Sequence, residues 1–577
     1  MSRIKILKNL TLVALAIIAV RLFAIQIIEH DLWVAKASEQ HTLLETITAR
    51  RGEIYMMSHG EPQAVVKNQT SYQIIIDPAF TDKDSIKSAL DKYAKDFIVV
   101  NLDEVYNTEG LRYSIVAKNV PYSVATKIAD EGIDYVWLKS SNQRFYPEGE
   151  TASTLLGFVN ADGLGQYGVE GSLNHILAGK DGLLKTVSDV NNVALSIGSD
   201  NVKIPAEDGK DVVLSVDLGL ENGIEEIMAN HIGKTAATNA AVLVMDPNSG
   251  EVAAMASLPN YNPGDYGNVK DASAYINQVT EVPYEPASTF KSFAYAAAIN
   301  EGKMSPDMTF YNKGYEIVDE NTIKNAEQRL LNQNVDMKTA LYWSFNTGSI
   351  HALKLLGDNT DEITATAREK LYTYYHDKFR LDQPTGIELI ENTGFVWDPH
   401  AEIYGLNAAY ANMTFGQNLS STMIETAAAF SAVVNGGYYI TPTIVKGTLK
   451  DDVITPLQNN DKIKEQILSS DTSATMRDLL MNNRSWKVRG GVDQSGYAIG
   501  GKTGTAQVIV DGGYDSSMSN LVGSYIGFVG PSGELPRYVI MIKMWGEGQK
   551  LQGSDAINLF DDLSHFVISY TKMPPGN

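Results

Sequence analysis

The longest apolar stretch of this 577-residue chain lies close to its N-terminus. It runs from Leu10 to Ile28, a length of 19 residues. Three basic residues precede it, Arg3, Lys5 and Lys8. About 20 apolar residues are needed for a helix to cross the hydrocarbon core of a bilayer, and a positively charged flank stays in the cytoplasm. The pattern therefore predicts a cytoplasmic tail at 1–8, a transmembrane helix at 9–28 and an extracytoplasmic remainder.

Two other interpretations of this stretch remain open. Ala35-Lys36-Ala37 resembles a small-residue cleavage site, but it lies beyond the stretch, and signal-peptide cores usually have only about 7–15 apolar residues. A buried soluble helix is the other alternative, because Arg21 near the centre of a bilayer would cost about 2.5–3.5 kcal/mol. Length and flanking charge favour a retained single span.

Residues 40 to 210 alternate short strand-like runs with clusters of turn-forming residues. Tyr72–Ile76 is one such run. Short runs bounded by Gly, Asn, Asp and Pro predict strands and turns. The run Val212–Val216 then leads into an amphipathic stretch, Leu218–Ile232, which predicts a linking helix.

The pattern changes from Ala240 onwards. Two apolar runs, Ala241–Met245 and Val252–Met255, flank a turn-forming segment and predict a hairpin. Alanine-rich helical segments follow, Phe290–Ile299 and Thr422–Val434, and three further strands are predicted near the C-terminus, at Ala506–Val510, Tyr525–Val529 and Tyr538–Met544. Strands at both ends of a region with helices between them predict one α+β domain whose terminal strands share a sheet.

Composition narrows the possible functions. Hydrophobic residues make up 44% of the chain and charged residues 20%, which permits a packed core. The net charge is −22, so the basic footprint needed to bind nucleic acid is missing, and nucleic acid is excluded as a partner. The absence of cysteine excludes disulfides and a cysteine nucleophile. The nine histidines show no metal-ligand spacing such as HExxH, and we expect neither a metal nor a cofactor.

Three short motifs carry the candidate chemistry. Ser288 and Lys291 are three residues apart at a predicted helix start, so one helical turn brings the amine near the hydroxyl. A serine needs such a base to become a useful nucleophile. The other motifs are Ser344-Phe-Asn346 and Lys502-Thr503-Gly504-Thr505.

The order of the motifs is more specific than any one of them. Ser2 and Lys5 also fit the first pattern, and Ser199-Asp-Asn201 fits the second. The Ser2 pair lies in the predicted cytoplasmic tail, and Ser199-Asp-Asn201 precedes Ser288, so the credible set in the order SxxK, SxN and KTG begins at Ser288. That ordered set is typical of penicillin-binding proteins and serine β-lactamases.

Over almost its whole length the sequence resembles the class B penicillin-binding proteins, which are monofunctional peptidoglycan transpeptidases. Glu285–Lys291 looks like the EPGSTFK box of that family, and Gly501–Gln507 looks like its GKTGTAQ strand. Arg51–Tyr55, Arg144–Pro147 and Gly168–Gly171 resemble the three motifs of the pedestal domain.

Four positions depart from the family pattern. Met56 and Met57 stand where Asp and Arg are usual, and this concerns only the packing of the pedestal. Ala287 replaces the glycine before the nucleophile, and Asn418 replaces the last glycine of an FGQG segment. The last two changes touch the rim of the expected active site.

The resemblance implies an α+β fold class with three parts. A single N-terminal transmembrane helix would be followed by an elongated, mostly-β pedestal domain, resembling a dimerisation domain, at 29–234. A transpeptidase domain at 235–577 would contain an antiparallel sheet flanked by helices. The resemblance also suggests that Arg21 pairs with a membrane partner. Such a pairing weakens the argument that Arg21 makes against a transmembrane helix.

The resemblance further implies a mechanism. Ser288 would attack the penultimate D-alanine carbonyl of a stem peptide, with Lys291 as its base, and a neighbouring stem peptide would then displace the acyl-enzyme. Ser344 would relay protons with help from the charge of Lys502, and Asn346 would position the donor peptide. The substrate's terminal carboxylate would be bound by the KTGT segment through Thr503, Gly504 and Thr505. Backbone N–H groups of Ser288 and Thr505 would form the oxyanion hole.

The expected partners follow from the same resemblance. They are peptidoglycan stem peptides, β-lactam antibiotics, and a membrane-embedded polytopic glycosyltransferase with other division or elongation proteins. The compact chain favours a septal role over one in the lateral wall. A β-lactamase-like hydrolase or β-lactam sensor, and a catalytically idle scaffold, remain as alternative functions.

Overall fold

The structure is a computed structural model, and it describes most of the chain. The described residues are 3–30, 33, 42–188, 194–195, 202–457, 462–487, 495–507, 509–510, 513–514, 521–546 and 548–576. They form two compact units, of which the first comprises Met1–Gly52 and Ala178–Lys210 and the second Glu53–Leu177 and Asp211–Asn577. The Ala35-Lys36-Ala37 site and the Ser199-Asp-Asn201 motif lie outside the described residues.

The first unit begins with the predicted apolar helix. An α-helix at Arg3–Phe23 continues as one π-helical turn at Ala24–Ile28. The segment Leu7–Ile28 has a mean hydropathy of 2.4, none of it is buried, and it is long and apolar enough to cross a membrane. Arg21 Nη1 donates a hydrogen bond to Glu29 Oε1 at 3.2 Å, so its charge has a partner within the chain.

A small antiparallel sheet forms the rest of this unit. Its strands are Thr42–Ile47, Gly182–Ser188, Ala194–Leu195 and Val202–Ile204. Gly182–Ser188 pairs with each of the other three. Two carboxylates hold the segments next to these strands together. The Asp181 side chain accepts a hydrogen bond from Ala49 N at 2.7 Å, and the Asp208 side chain accepts one from Arg50 N at 2.9 Å.

The N-terminal half of the second unit is built on a seven-stranded mixed sheet. Its strands are Ile54–Ser58, Glu61–Ile76, Ser114–Pro121, Val136–Phe145, Asp211–Asp217, Val445–Lys450 and Val453–Thr455. Helices at Lys83–Tyr93, Leu102–Asn107 and Tyr122–Asp130 accompany it, and their apolar faces share a core with the strands. The pedestal region is thus a mixture of strands and helices. Two of the predicted pedestal motifs are joined by a buried ion pair between Arg144 and Glu170 at 2.7 Å.

A five-stranded antiparallel sheet, which we call the central sheet, organises the C-terminal half. Its strands stand in the order Val252–Leu258, Asn239–Met245, Tyr538–Trp545, Leu521–Pro531 and Tyr497–Gln507. The predicted hairpin is confirmed, as is the prediction that strands from both ends of the region share one sheet.

One predicted strand boundary is wrong. The sequence placed a strand at Ala506–Val510, whereas the strand runs from Tyr497 to Gln507 and contains the whole KTG motif. We call it the KTG strand. The glycines at 500 and 501 resemble strand breakers in the sequence, but Phe528 and Tyr525 fill the positions where their side chains would stand. Packing against the neighbouring strand therefore outweighs the low strand propensity of glycine.

Helices cover both faces of the central sheet. The linking helix, Leu218–Ile232, has the predicted bounds, and the Asp217 side chain caps its first turn by accepting hydrogen bonds from Gly219 N and Leu220 N at 3.0 Å. It packs with the C-terminal helix, Gly553–Tyr570, against one face. A larger core on the other face includes helices at Lys291–Asn300, Met337–Tyr342, Asn346–Leu356, Ala365–Tyr372, Leu406–Met413, Met423–Val434 and Ser470–Lys487. The predicted α+β class is confirmed.

The remaining elements are short. Two-stranded antiparallel sheets are formed by Phe158–Val159 with Gly165–Gln166, Thr309–Asn312 with Gln333–Asp336, Tyr315–Val318 with Asn321–Lys324, Tyr438–Ile440 with Lys464–Gln466, and Ile509–Val510 with Gly513–Tyr514. Further helices lie at Ser153–Leu156, Gly168–Ser172 and Asn174–Leu177.

Candidate active site

The candidate nucleophile sits on a tight turn beside the KTG strand. A 3₁₀ turn at Ala287–Phe290 leads directly into the helix Lys291–Asn300. The Thr289 hydroxyl closes the turn by donating to Pro286 O at 2.7 Å. Ser288 and Lys291 therefore lie one turn apart at the start of a helix, as the sequence predicted.

Lys291 connects two serine hydroxyls. Its Nζ donates to Ser288 Oγ at 2.9 Å, to Ser344 Oγ at 3.0 Å and to Ser344 O at 2.6 Å. The side chain is almost fully buried, with 1% of the residue exposed. An amine held this close to a hydroxyl is placed to take up its proton.

The second and third motifs meet at the same point. Lys502 Nζ donates to Ser344 Oγ at 3.0 Å and to Thr503 O at 2.9 Å. Ser344 Oγ thus accepts hydrogen bonds from two lysines. We call the four residues Ser288, Lys291, Ser344 and Lys502 the serine–lysine network. Two amines and two hydroxyls in one hydrogen-bonded chain provide a path along which protons can move.

Two residues at the serine–lysine network have left-handed backbone conformations. Ser344 has φ 57° and Ala287 has φ 51°. Ala287 N donates to Gly416 O at 3.1 Å, and a Cβ at Gly416 would lie only 2.2 Å from Ala287 O. A non-glycine residue at positive φ costs roughly 1–2 kcal/mol, and such strain is typical of functional sites.

The departures from the family pattern find a structural explanation here. Ala287 and Asn418 both replace a family glycine, and both have positive φ, 51° and 58°. Asparagine tolerates this conformation better than alanine does. Asn418 N also donates to Glu285 Oε1 at 2.9 Å. Met56 lies far into the core of the second unit, with no exposed surface.

Asn346 starts the helix Asn346–Leu356 and lies at the edge of the adjoining cavity. Its Nδ2 donates to Lys324 O at 2.8 Å, which fixes the amide side chain against a neighbouring hairpin.

The KTG strand forms one edge of the central sheet. Its inner side is pressed against the nucleophile turn, because a Cβ at Gly504 would lie 2.7 Å from Pro286 O and 2.4 Å from Ser524 Oγ. Pro286 and Ser524 therefore occupy the space that a side chain at position 504 would need. Thr503 is half-buried, and Thr505 is exposed with its Oγ1 accepting a hydrogen bond from Gly553 N at 3.0 Å.

A cavity of about 1130 Å³ adjoins these groups. Its lining includes Glu285, Asn346, Gln417, Ala506, Lys543 and Trp545. Gln417 and Ala506 belong to segments that the sequence singled out, whereas Lys543 was missed. The available signal was one lysine in the otherwise apolar strand Tyr538–Trp545. Among the described residues, no group of three or more His, Asp or Glu side chains could hold a metal ion.

Comparisons with known proteins agree with this geometry. A family model described as the penicillin binding protein transpeptidase domain matches residues 240–565. A second model, the penicillin-binding protein dimerisation domain, matches residues 46–214. The chain therefore belongs to the penicillin-binding protein transpeptidase family, and a dimerisation domain ahead of the transpeptidase domain is the arrangement of its class B members. The predicted boundaries, 29–234 and 235–577, stay predictions.

Two relatives illustrate the range of similarity. The "Stage V sporulation protein D" of Bacillus subtilis is 31% identical over 396 residues, which are 68% of this chain and 58% of that protein. The chain thus spans less than two thirds of this relative. The "Peptidoglycan D,D-transpeptidase FtsI homolog" of Mesostigma viride is 25% identical over 562 residues, 90% of this chain and 87% of that protein.

The fold also matches solved structures. Penicillin binding protein 3 from Mycobacterium tuberculosis, crystallised in complex with aztreonam, superimposes with a TM-score of 0.66 at 22% identity. The match covers 92% of this chain and 98% of the other. At this level of identity the likeness establishes the fold alone.

Proposed function

We propose that this protein is a serine-type peptidoglycan D,D-transpeptidase that crosslinks stem peptides through an acyl-enzyme. The observation that supports the proposal best is the contact of 2.9 Å between Lys291 Nζ and Ser288 Oγ, inside a network that also contains Ser344 and Lys502. Family membership supports the same reaction, and one relative bears the name of a D,D-transpeptidase.

In the first step Ser288 Oγ forms a bond to the carbonyl carbon of the penultimate D-alanine of a donor peptide. Lys291 takes the hydroxyl proton as the bond forms. The bond to the terminal D-alanine nitrogen then breaks, and that nitrogen receives a proton through Ser344. The position of Ser344 Oγ between two lysine amines supports this relay.

In the second step the amine of a neighbouring stem peptide attacks the acyl-enzyme. The new amide bond forms and the ester bond to Ser288 breaks, while Lys291 takes a proton from the attacking amine and passes it to Ser288 Oγ. Because the same lysine carries the proton in both directions, the enzyme returns to its starting state without an external reagent.

The remaining candidate residues are assigned binding roles. Asn346 positions the donor peptide, and Thr503, Gly504 and Thr505 bind the terminal carboxylate along the KTG strand, which is the last strand of the central sheet. Backbone N–H groups of Ser288 and Thr505 stabilise the oxyanion, where one donor is typically worth a factor of about 10²–10³ in rate. The exposure of Thr505 at this edge supports access by a substrate.

The N-terminal helix anchors the protein in the cell membrane as a single span within this proposal. Three lysine and arginine residues ahead of the span support a cytoplasmic N-terminus and an extracytoplasmic catalytic region. Partners then include a membrane-embedded polytopic glycosyltransferase and other division or elongation proteins. The proposal includes a role at the division septum, which localisation of a fluorescent fusion at midcell would test.

β-Lactam antibiotics are proposed as inhibitors that acylate Ser288. A solved structural neighbour is described as a complex with aztreonam. A β-lactam carbonyl can accept the same serine attack as the peptide carbonyl, but the ring nitrogen stays tethered to the adduct, so a slow release from the enzyme follows.

Fluorescent penicillin tests the proposed function. The full-length protein in detergent micelles should give a long-lived adduct whose mass maps to the peptide containing Ser288. Ser288→Ala should abolish the adduct, while Ser305→Ala, at an exposed serine outside the site, should label normally. Rapid release of the hydrolysed antibiotic would instead indicate a hydrolase, and the absence of labelling in the folded protein would indicate a catalytically idle scaffold.

A further inference from the structure

Lys543 is a buried cation in the wall of the active-site cavity that the proposed mechanism does not use. Only 3% of its surface is exposed. It lies on the strand Tyr538–Trp545 opposite Ser524, which in turn pairs with Gly504 of the KTG strand. Adjacent strands are about 4.8 Å apart, so Lys543 stands roughly 10 Å from the KTG strand across the floor of the sheet.

The polar contacts of Lys543 are long. Its Nζ donates to Gln278 O at 3.4 Å and to Gln278 Oε1 at 3.3 Å. The faces of Tyr284 and Trp545 flank the amine, with their ring centroids 4.9 and 4.7 Å away. In the described part of the chain, no ion pair with a carboxylate is found for this lysine. Burial therefore lowers the pKa of Lys543 to about 7.

The other buried lysines of the described chain are bound differently. Lys291 and Lys502 each donate at 3.0 Å or less to oxygens around Ser344. Lys354 forms an ion pair with Glu316 at 2.9 Å. Among the described residues, Lys543 thus differs from these three lysines, because it has neither a short hydrogen bond nor an ion-pair partner. Burying an ammonium group without such partners is costly, and an anion that enters the cavity would reduce this cost.

The cavity extends from this lysine to Asn346 and to the end of the KTG strand. Its lining crosses three strands of the central sheet, from Ala506 on the KTG strand through Val522 to Lys543 and Trp545, and it includes Asn346 at the SxN motif. An extended peptide advances about 3.3 Å per residue. A chain bound at the KTG edge therefore needs about three residues to reach Lys543.

We propose that Lys543 forms an anion subsite of the active-site cavity, which binds a side-chain or branch carboxylate of a stem peptide away from the scissile bond. The inference rests on the proposed transpeptidase function. The carboxylate comes from the donor peptide or from the acceptor peptide, because both carry the same chemistry and both enter the same cavity. The aromatic faces of Tyr284 and Trp545 keep water away from the ion pair and favour the charged form of the amine.

The test compares substrates that differ only in this charge. Full-length protein in detergent micelles is given a peptide thioester donor with a free internal carboxylate, or its carboxamide analogue. The wild type should prefer the carboxylate by about 10- to 100-fold in kcat/KM. Lys543→Met should abolish that preference by slowing only the carboxylate donor. Penicillin labelling of Ser288 should stay within twofold of wild type, because a penicillin is too small to need the distant lysine.

A second arm identifies the source of the carboxylate. The donor is held constant as the carboxamide, and acceptor peptides with a carboxylate or a carboxamide are compared for product formation. A preference in this arm alone assigns the subsite to the acceptor, and one in the first arm alone assigns it to the donor. Lys446→Met, which removes a lysine paired with Glu251 outside this cavity, should leave both preferences unchanged.

Failure of this inference is distinguishable from failure of the proposed function. Equal rates for carboxylate and carboxamide in both arms with the wild type would overturn the subsite, as would a preference that persists in Lys543→Met. Even if Lys543→Met does not fold, equal rates in the wild type would still overturn the subsite. Absence of penicillin labelling in the wild type would instead overturn the transpeptidase function.

Discussion

The serine–lysine network and the surroundings of Lys543 lie on the same face of the central sheet, and they differ in how their buried lysines are hydrogen-bonded. In the network, Lys291 and Lys502 make hydrogen bonds of 2.6–3.0 Å. The distances from Lys543 Nζ to the two oxygens of Gln278 are 3.3 and 3.4 Å. The backbone differs too, since Ser344 of the network and Ala287 beside it are left-handed, while Lys543 lies in a regular strand.

This difference separates two uses of a buried charge. Short hydrogen bonds and a strained backbone fix the network before any ligand arrives, which is the requirement for proton transfer at a defined atom. A lysine with long contacts in a relaxed strand is poorly suited to that task. It retains an unsatisfied preference for an anion, which a bound molecule can meet.

The largest expected effect tests the network. Lys291→Ala should slow acylation of Ser288 by penicillin by about 10³-fold, because a positioned base contributes roughly 10²–10⁴. The thermal midpoint should change little by comparison, and the rate of appearance of the fluorescent adduct measures the effect. Lys303→Ala, at a lysine paired with Asp358 on the surface, is the control.

Comparison with Lys502→Ala sharpens this prediction. Lys502 contacts Ser344 and is three hydrogen bonds away from Ser288, through Ser344 and Lys291. Its loss should therefore slow acylation less than the loss of Lys291 does. A larger loss in Lys502→Ala would assign the role of base to Lys502.

Much of the network could be predicted from the sequence, because its parts are locally encoded. The spacing of Ser288 and Lys291 brings both to one helical face, and the order of the three motifs indicates which serine and lysine lie beside Ser344 and Lys502. The linking helix was also predicted at Leu218–Ile232, since an amphipathic pattern marks it locally, and the structure adds Asp217 as its cap.

Other features depend on contacts between distant segments. The KTG strand begins nine residues before the predicted start at Ala506, because Phe528 and Tyr525 from the next strand support its glycines. The positive φ of Ser344 has no local signal, since serine is not a residue typical of that conformation. Lys543 could be seen as a lysine in an apolar strand, but only the strand order places it in the cavity.

An intermediate effect concerns the stability of the Lys543 region. Burial lowers the pKa of Lys543 to about 7, whereas the ordinary value is about 10.4. Between these values the unfolded chain binds a proton that the folded protein does not, so this group makes stability rise with pH by up to about 1.4 kcal/mol per pH unit. Below about pH 7 the folded protein bears the whole penalty of the buried charge.

Lys543→Met removes this dependence. The stability of the variant relative to the wild type should be nearly constant from pH 6 to pH 7 and should then fall by about 4 kcal/mol between pH 7 and pH 10. Thermal midpoints measured at several pH values, without ligand, check the result. A constant difference between the two proteins across this range would show that Lys543 is already paired in the free protein.

The smallest expected effect concerns backbone strain beside the nucleophile. Ala287 has φ 51°, and replacing a left-handed alanine by glycine relieves roughly 1–2 kcal/mol, of which about half is lost to the greater freedom of glycine in the unfolded chain. Ala287→Gly should therefore stabilise the protein by up to about 1 kcal/mol. Ala129→Gly, at an exposed alanine in the helix Tyr122–Asp130, should destabilise it by about 1 kcal/mol. If the thermal midpoint rises in Ala287→Gly and falls in Ala129→Gly, the backbone is strained beside the network. If it falls in both variants, position 287 is relaxed, and the contrast with the Lys543 strand rests on hydrogen bonding alone.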